Sequence, residues 1–263
     1  MVWDICCSFK IKCVSYNYSY ESPPEAAAMD FIFMLTRSDQ TVEDCLDLVK
    51  QIAPLQLGHI GFKDVGVSPA TLHKLATAIH DAGAISYMEV VSTSRDDCLH
   101  SARIARDLGV DRLLGGTFVD ETLDMLSGGR TAYFPFPGRP VGHPTKLGGS
   151  AREVEDHCRA FMNKGCAGVD LLAYRAIEAD PLDLVRAARR GTGAGYLIAA
   201  GSVASVERIN DLKAAGADAF TIGSAIFDGS FSPRKGSIMS QLGDVLDACA
   251  EGHVAAPGRL AGS

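Results

Sequence analysis

Two Gly-Ser pairs, Gly201-Ser202 and Gly223-Ser224, lie 22 residues apart, each following an apolar β-rich run and preceding a helical pattern. A phosphate needs several backbone N–H groups converging without side-chain bulk, and glycine permits that approach. The stretch Ser224-Asp228 could form a short extra helix whose positive end faces the anion. The plain alternative is a pair of ordinary strand-end turns. Two pairs one βα unit apart, with Gly216-Ala217-Asp218 closing the helix between them, favour the phosphate.

A second group of residues could move protons. In HIGFKD the period of 2 puts Ile60 and Phe62 on one face and His59, Gly61 and Lys63 on the other, the side facing the bore. Lys63 at a strand end could act as a general acid, bind an anion, or attack a carbonyl as a Schiff-base amine. Its plain alternative is a rim pair with Asp64. Glu89, in SYMEVVS, is a carboxylate that would be costly in the bore unless paired or functional. Lys63 is its candidate partner, either as acid and base for proton transfer beside a carbonyl or as a structural pair. The connection from Pro135 to Gly149 is the longest in the chain, holds four prolines and four glycines, and reads as a lid. Its His143 could titrate near neutrality and assist catalysis. Arg37, Tyr174 and Arg175 follow strands and could reach an anionic substrate, with rim salt bridges as the alternative for the arginines. Asp170 should lie deeper. His73, His80, His100 and His157 fall on helices and belong by default to the outer layer.

These residues need a scaffold that brings strand ends together. From Asp30 onward, apolar β-rich runs at 30–36, 58–63, 84–90, 110–115, 131–136, 168–174, 196–200 and 218–222 alternate with amphipathic patterns. Thr41, Ser68 and Ser94 read as helix N-caps, and Gly83 and Gly109 as helix ends. Further helices are expected at about 118–127, 150–164, 181–189, 203–215 and 237–251. Eight strands each followed by a helix predict an α/β fold, a single-domain (βα)8 TIM barrel over 29–252, with its chemistry at the C-terminal strand ends. An open doubly wound sheet would need a break in this alternation or a dinucleotide fingerprint, and neither is present. Residues 1–28 show no periodicity and read as an N-terminal extension, either disordered or an arm across the barrel bottom; 253–263 read as a C-terminal tail.

Composition narrows the function classes. The 263 residues carry 25 Lys+Arg against 32 Asp+Glu, a net charge of −7, with no basic run to neutralise a nucleic-acid backbone. No segment approaches the 18 apolar residues of a membrane span, and no secretory signal is evident, so a cytoplasmic protein is expected. The eight cysteines include no CxxC pair and no zinc-like spacing, so reduced thiols, no metal and no cofactor are expected. The expected partner is a phosphorylated small molecule, with no nucleic acid and no membrane; a homo-oligomer is left open.

The segment IAAGSVASVERINDLKAAGADAFTIGSAIFDG resembles the C-terminal quarter of the histidine-biosynthesis phosphoribosyl isomerase and cyclase barrels, within the ribulose-phosphate-binding superfamily. That resemblance implies that Gly201, Ser202, Gly223 and Ser224 contact a substrate phosphate. The isomerases' aspartates at the ends of strands one and five are not matched, since those ends read Leu35-Thr36-Arg37 and Phe134-Pro135-Phe136. The metal-binding His and Asp set of the ribulose-phosphate epimerases is also unmatched. Lys63-Asp64 is similar to a pair in indole-glycerol-phosphate synthases, but Ala200 replaces their strand-seven glutamate. The expectation is an isomerase or epimerase of carbohydrate metabolism acting on a small phosphorylated sugar. The alternatives are a Schiff-base aldolase or lyase using Lys63, and a non-catalytic regulatory barrel, since FIFMLT, helix, HIGFKD is similar to glycerol-responsive antiterminators.

Overall fold

The protein's structure, a computed structural model, describes residues 29–251 apart from 91 and 143. Eight parallel strands run β1 (Asp30–Met34), β2 (His59–Lys63), β3 (Ile85–Glu89), β4 (Arg112–Leu114), β5 (Ala132–Phe134), β6 (Gly168–Leu171), β7 (Tyr196–Ala199) and β8 (Ala219–Ile222). Each pairs with the next except β5 with β6, and β8 pairs with β1. Between β5 and β6 the cylinder is closed by two backbone hydrogen bonds, from Ala167 N to Tyr133 O at 3.0 Å and from Asp170 N to Pro135 O at 3.1 Å. The fold is a TIM barrel.

Helices α1 (Cys45–Ile52), α2 (Pro69–Asp81), α3 (Arg95–Leu108), α4 (Val119–Leu126), α5 (Ala151–Asn163), α6 (Pro181–Thr192), α7 (Val206–Ala215), α8 (Ser224–Phe227) and α9 (Ile238–Glu251) complete the order. Ser68 and Ser94 cap α2 and α3, their hydroxyls accepting from Thr71 N and Asp97 N, and Gly109 ends α3 in the left-handed region. Thr41 does not open α1, which starts after Asp44. It sits instead in a two-stranded ribbon of Thr36–Arg37 with Gln40–Thr41. There its Oγ1 accepts from Lys63 N at 2.8 Å and donates to Lys63 O at 2.7 Å. The capping preference yields to a long-range contact with the end of β2.

Strand alternation separates two cores. Phe31, Phe33, Ile60, Phe62, Val169, Leu171, Leu197 and Phe220 face the helices, and Ile32, Met34, Tyr87, Leu114, Phe134, Ile198 and Ala219 fill the bore. Gly61 also faces inward, where a methyl group would collide with the Met34 sulfur and Tyr87.

The N-terminal end of the bore is plugged by polar groups, four of them the first residues of their strands: Asp30, His59, Arg112 and Tyr196. Arg112 donates to Tyr87 Oη at 2.7 Å, and its guanidinium lies 4.7 Å from the centre of the Tyr196 ring. Tyr87 Oη also pairs with His59 Nδ1 at 2.9 Å, Tyr196 donates to Asp30, and His59 Nε2 approaches Asp30 at 3.5 Å. Among the described residues no helix is long and apolar enough to cross a membrane.

Candidate functional site at the C-terminal mouth

Lys63 and Glu89 end adjacent strands and are direct register partners, so strand pairing alone puts both side chains on the same face of the bore. Lys63 Nζ stands 3.3 Å from Glu89 Oε1, with both residues buried. The nearest partner of the ammonium is Asp39, at 2.8 Å. Asp39 comes from the tip of the ribbon after β1, where Ser38 and Asp39 have φ of 50° and 60°. Two central residues at positive φ form the hairpin turn that matches strand twist, and a short polar side chain such as Asp tolerates it. Arg175, just beyond β6, places Nη2 3.3 Å from the same Asp39 oxygen and donates Nη1 to Thr145 O at 3.3 Å.

These charges set one another's ionisation. Burial alone would lower the Lys63 ammonium, but the Glu89 and then the Asp39 carboxylate outweigh it and hold its pKa above the usual lysine value. Burial would likewise raise Asp39, but Lys63 and then Arg175 hold it below the usual carboxylate range. Lys63 is therefore a firm ammonium at neutral pH. Asp64 is not its partner; that carboxylate binds the Ser101 hydroxyl.

Another part of the lining is backbone. Gly201 and Ser202 both lie in the left-handed region, with φ of 80° and 59°. A Cβ on Gly201 would stand 2.8 Å from Arg175 Nε. One on Gly223 would stand 2.7 Å from Thr36 Oγ1 and 2.8 Å from Thr36 O, so only glycine lets the β8 end pass the ribbon. Gly223 precedes α8, whose first residues are Ser224 and Ala225. Among the described residues, the amides of Ser202, Val203, Gly223, Ser224 and Ala225 donate to no protein acceptor. All five residues line a cavity of about 240 Å³ that also receives Thr36, Asp39, Lys63, Glu89, Arg175 and Thr221. The cavity thus brings unspent donors and an ionic cluster together.

Of the residues singled out from sequence, Lys63, Glu89, Gly201, Ser202, Gly223, Ser224 and Arg175 come together in this cavity. Tyr174 does not; it lines a neighbouring depression with Lys146 and Ile177, its ring 4.5 Å from the Arg208 guanidinium. Arg37 points away and pairs with Asp228 at 2.9 Å on the surface. His143 lies outside the described residues. The long connection around it carries a further ribbon, Arg139–Val141 with Lys146–Gly148.

The sequence does not single out Asp39, and Asp170 is expected to lie deeper than the site. The signal for Asp39 was the Ser-Asp pair between Thr36-Arg37 and Gln40-Thr41, a two-residue hairpin without glycine. Among the described residues no three His, Cys, Asp or Glu side chains are grouped to hold a metal ion.

No protein-family model matches the chain, and no curated protein sequence is similar to it. Solved structures are similar. Orotidine 5'-phosphate decarboxylase from Pyrococcus horikoshii OT3 matches with a TM-score of 0.61 at 14% identity, over 84% of this chain and 99% of its own. Thiamine phosphate pyrophosphorylase from Pyrococcus furiosus matches with a TM-score of 0.57 at 9% identity, over 85% and 96%. A native KDPGal structure matches with a TM-score of 0.59 at 10% identity, over 85% and 98%. These likenesses establish the barrel; two of the three proteins are named for phosphorylated compounds.

Proposed function

We propose that this protein is an isomerase or epimerase of carbohydrate metabolism acting on a small phosphorylated sugar or sugar-like compound. The observation that carries the reading is the meeting, in one cavity, of Lys63 and Glu89 with a wall of unspent backbone amides. The amides of Ser202, Val203, Gly223, Ser224 and Ala225 hold the phosphate, as the loops after strands seven and eight commonly do in this fold. The carbonyl end of the substrate then lies against Lys63 and Glu89.

Glu89 removes the proton from the carbon beside the carbonyl, and those C–H electrons form the C=C bond of an enediol. The carbonyl π electrons take a proton from the Lys63 ammonium, leaving its amine. In isomerisation the neighbouring hydroxyl returns a proton to Lys63 as its own C=O bond forms, and Glu89 protonates the former carbonyl carbon. In epimerisation the enediol hydroxyl returns its proton to Lys63 as the carbonyl re-forms, and Glu89 protonates the original carbon on its opposite face once the enediol has turned that face toward it. Asp39 and Arg175 keep Lys63 in place throughout.

A Schiff-base lyase would need Lys63 as a free amine. Its two carboxylate neighbours favour the ammonium and weigh against that role. The test is a panel of sugar phosphates in deuterated water. A phosphorylated compound should raise the melting temperature and exchange the hydrogen beside its carbonyl, with no borohydride-stable adduct. A stable adduct on Lys63, or stabilisation by unphosphorylated analogues alone, would overturn the reading.

A further inference from the structure

Beneath the ion pairs lies an acid that the mechanism above does not use. Asp170 is in β6, in register with Ile198 of the bore, and is wholly buried. Neither of its carboxyl oxygens has a hydrogen-bond partner. The ionisable groups facing it are Glu89 from β3, Lys63 from β2 and Arg175 from the segment after β6, and Asp39 reaches the same cluster through Lys63. Its register neighbour on β7, Ile198, is apolar, and the link to β5 is the backbone bond from its own amide to Pro135.

A bare carboxylate without a single hydrogen bond in a dry bore is far costlier than the un-ionised acid. The charges point the same way. Lys63 and Arg175 supply two cations, and Asp39 and Glu89 two carboxylates. The cluster is neutral only while Asp170 keeps its proton. We propose that Asp170 is a positioning residue held as the un-ionised acid, whose neutrality leaves Lys63 directed at Glu89 and Asp39 and the mouth open to an anion. Burial, and then the adjacent Glu89 carboxylate, push its pKa well above the usual aspartate value. Ionised, it would compete for the ammonium and add a negative charge under the phosphate. This role rests on the proton-transfer reading of the mouth, but its ionisation state can be tested without that reading.

A raised folded-state pKa destabilises the native state once pH exceeds the unfolded value, and the cost grows as pH rises toward the folded value. Asp170→Asn should therefore melt close to wild type near pH 4, about where free aspartate titrates, and above wild type at neutral pH. Wild type at neutral pH should show the infrared carbonyl band of a protonated carboxyl. Asp170→Asn should lack that band, and Asp30→Asn, at the far end of the bore, should retain it.

Sulfate, whose charge is constant over this range, probes the positioning role by calorimetry. Its affinity should fall about tenfold as Asp170 ionises in wild type, as expected for one added charge nearby, and should stay level in Asp170→Asn. A missing band in wild type, or Asp170→Asn melting below wild type at neutral pH, would overturn the proposal. So would the same pH dependence of sulfate binding in both proteins. Sulfate failing to bind either protein, with the band and the stability gain present, would support the un-ionised acid and count against the phosphate site instead.

Discussion

Both ends of the bore hold clustered polar and ionisable residues, to opposite effect. At the base, Asp30, His59, Tyr87, Arg112 and Tyr196 each have a polar partner, and Arg112 also lies against aromatic rings. At the mouth, Lys63, Glu89, Asp39 and Arg175 are paired, but Asp170 and a row of backbone amides are not. A base that spends its polar groups internally is a plug. Unspent donors lining a cavity are available to a ligand, and an unpaired acid behind a buried ion pair sets local charge. Polarity inside the barrel is therefore a poor guide to function until its partners are counted.

The sharpest way to break this contrast is Lys63→Met, which keeps the aliphatic stem and removes the ammonium. Hydrogen exchange beside the carbonyl of a turned-over sugar phosphate should fall by about 10²–10⁴-fold, the range of a lost general acid. Retained exchange would make the mouth as structural as the base. Arg112→Met tests the other end. It should cost about 2 kcal/mol and lower Tm by roughly 6 °C in thermal unfolding, while sulfate affinity at the mouth stays unchanged.

Gly223→Ala is expected to act locally. Its new methyl would press on Thr36 and move the β8 end, lowering calorimetric sulfate affinity by about tenfold, or about 1.4 kcal/mol, with Tm changing less. The smallest effect belongs to Asp30. A hydrogen bond from His59, followed by one from Tyr196, outweighs burial and holds its carboxyl below the usual range. Its contribution is present above the unfolded aspartate pKa and is lost as pH falls through the depressed folded value. Asp30→Asn should flatten the acid side of the stability curve, opposite in sign to the effect of Asp170, which appears as pH rises. Thermal melts of both variants across the same pH series would separate the two ends.

Much of this frame was legible in the sequence. The β-rich runs and capping serines located eight strands, because alternation and Ser N-caps are local physics. Strand ends were less legible. The runs at 110–115 and 131–136 shorten to Arg112–Leu114 and Ala132–Phe134, and 168–174 gives way after Leu171 to a turn of 3-10 helix at Ala173–Arg175. Lys63 and Glu89 could be read because strand period and register are nearly the same information. Asp39 could not, since its partner is 24 residues away and its turn lacks the glycine that usually marks such hairpins. Asp170 was visible as a residue but not as an orphan, which only the packed bore defines.

The join between β5 and β6 has one more implication. It is the seam without a regular ladder, and one of its two stitches is the amide of Asp170 itself. Any breathing of the cylinder should begin there, and the first thing it would wet is the acid the fold keeps dry. Solvent entry, proton loss and slackening of the wall would then be a single event at a single stave.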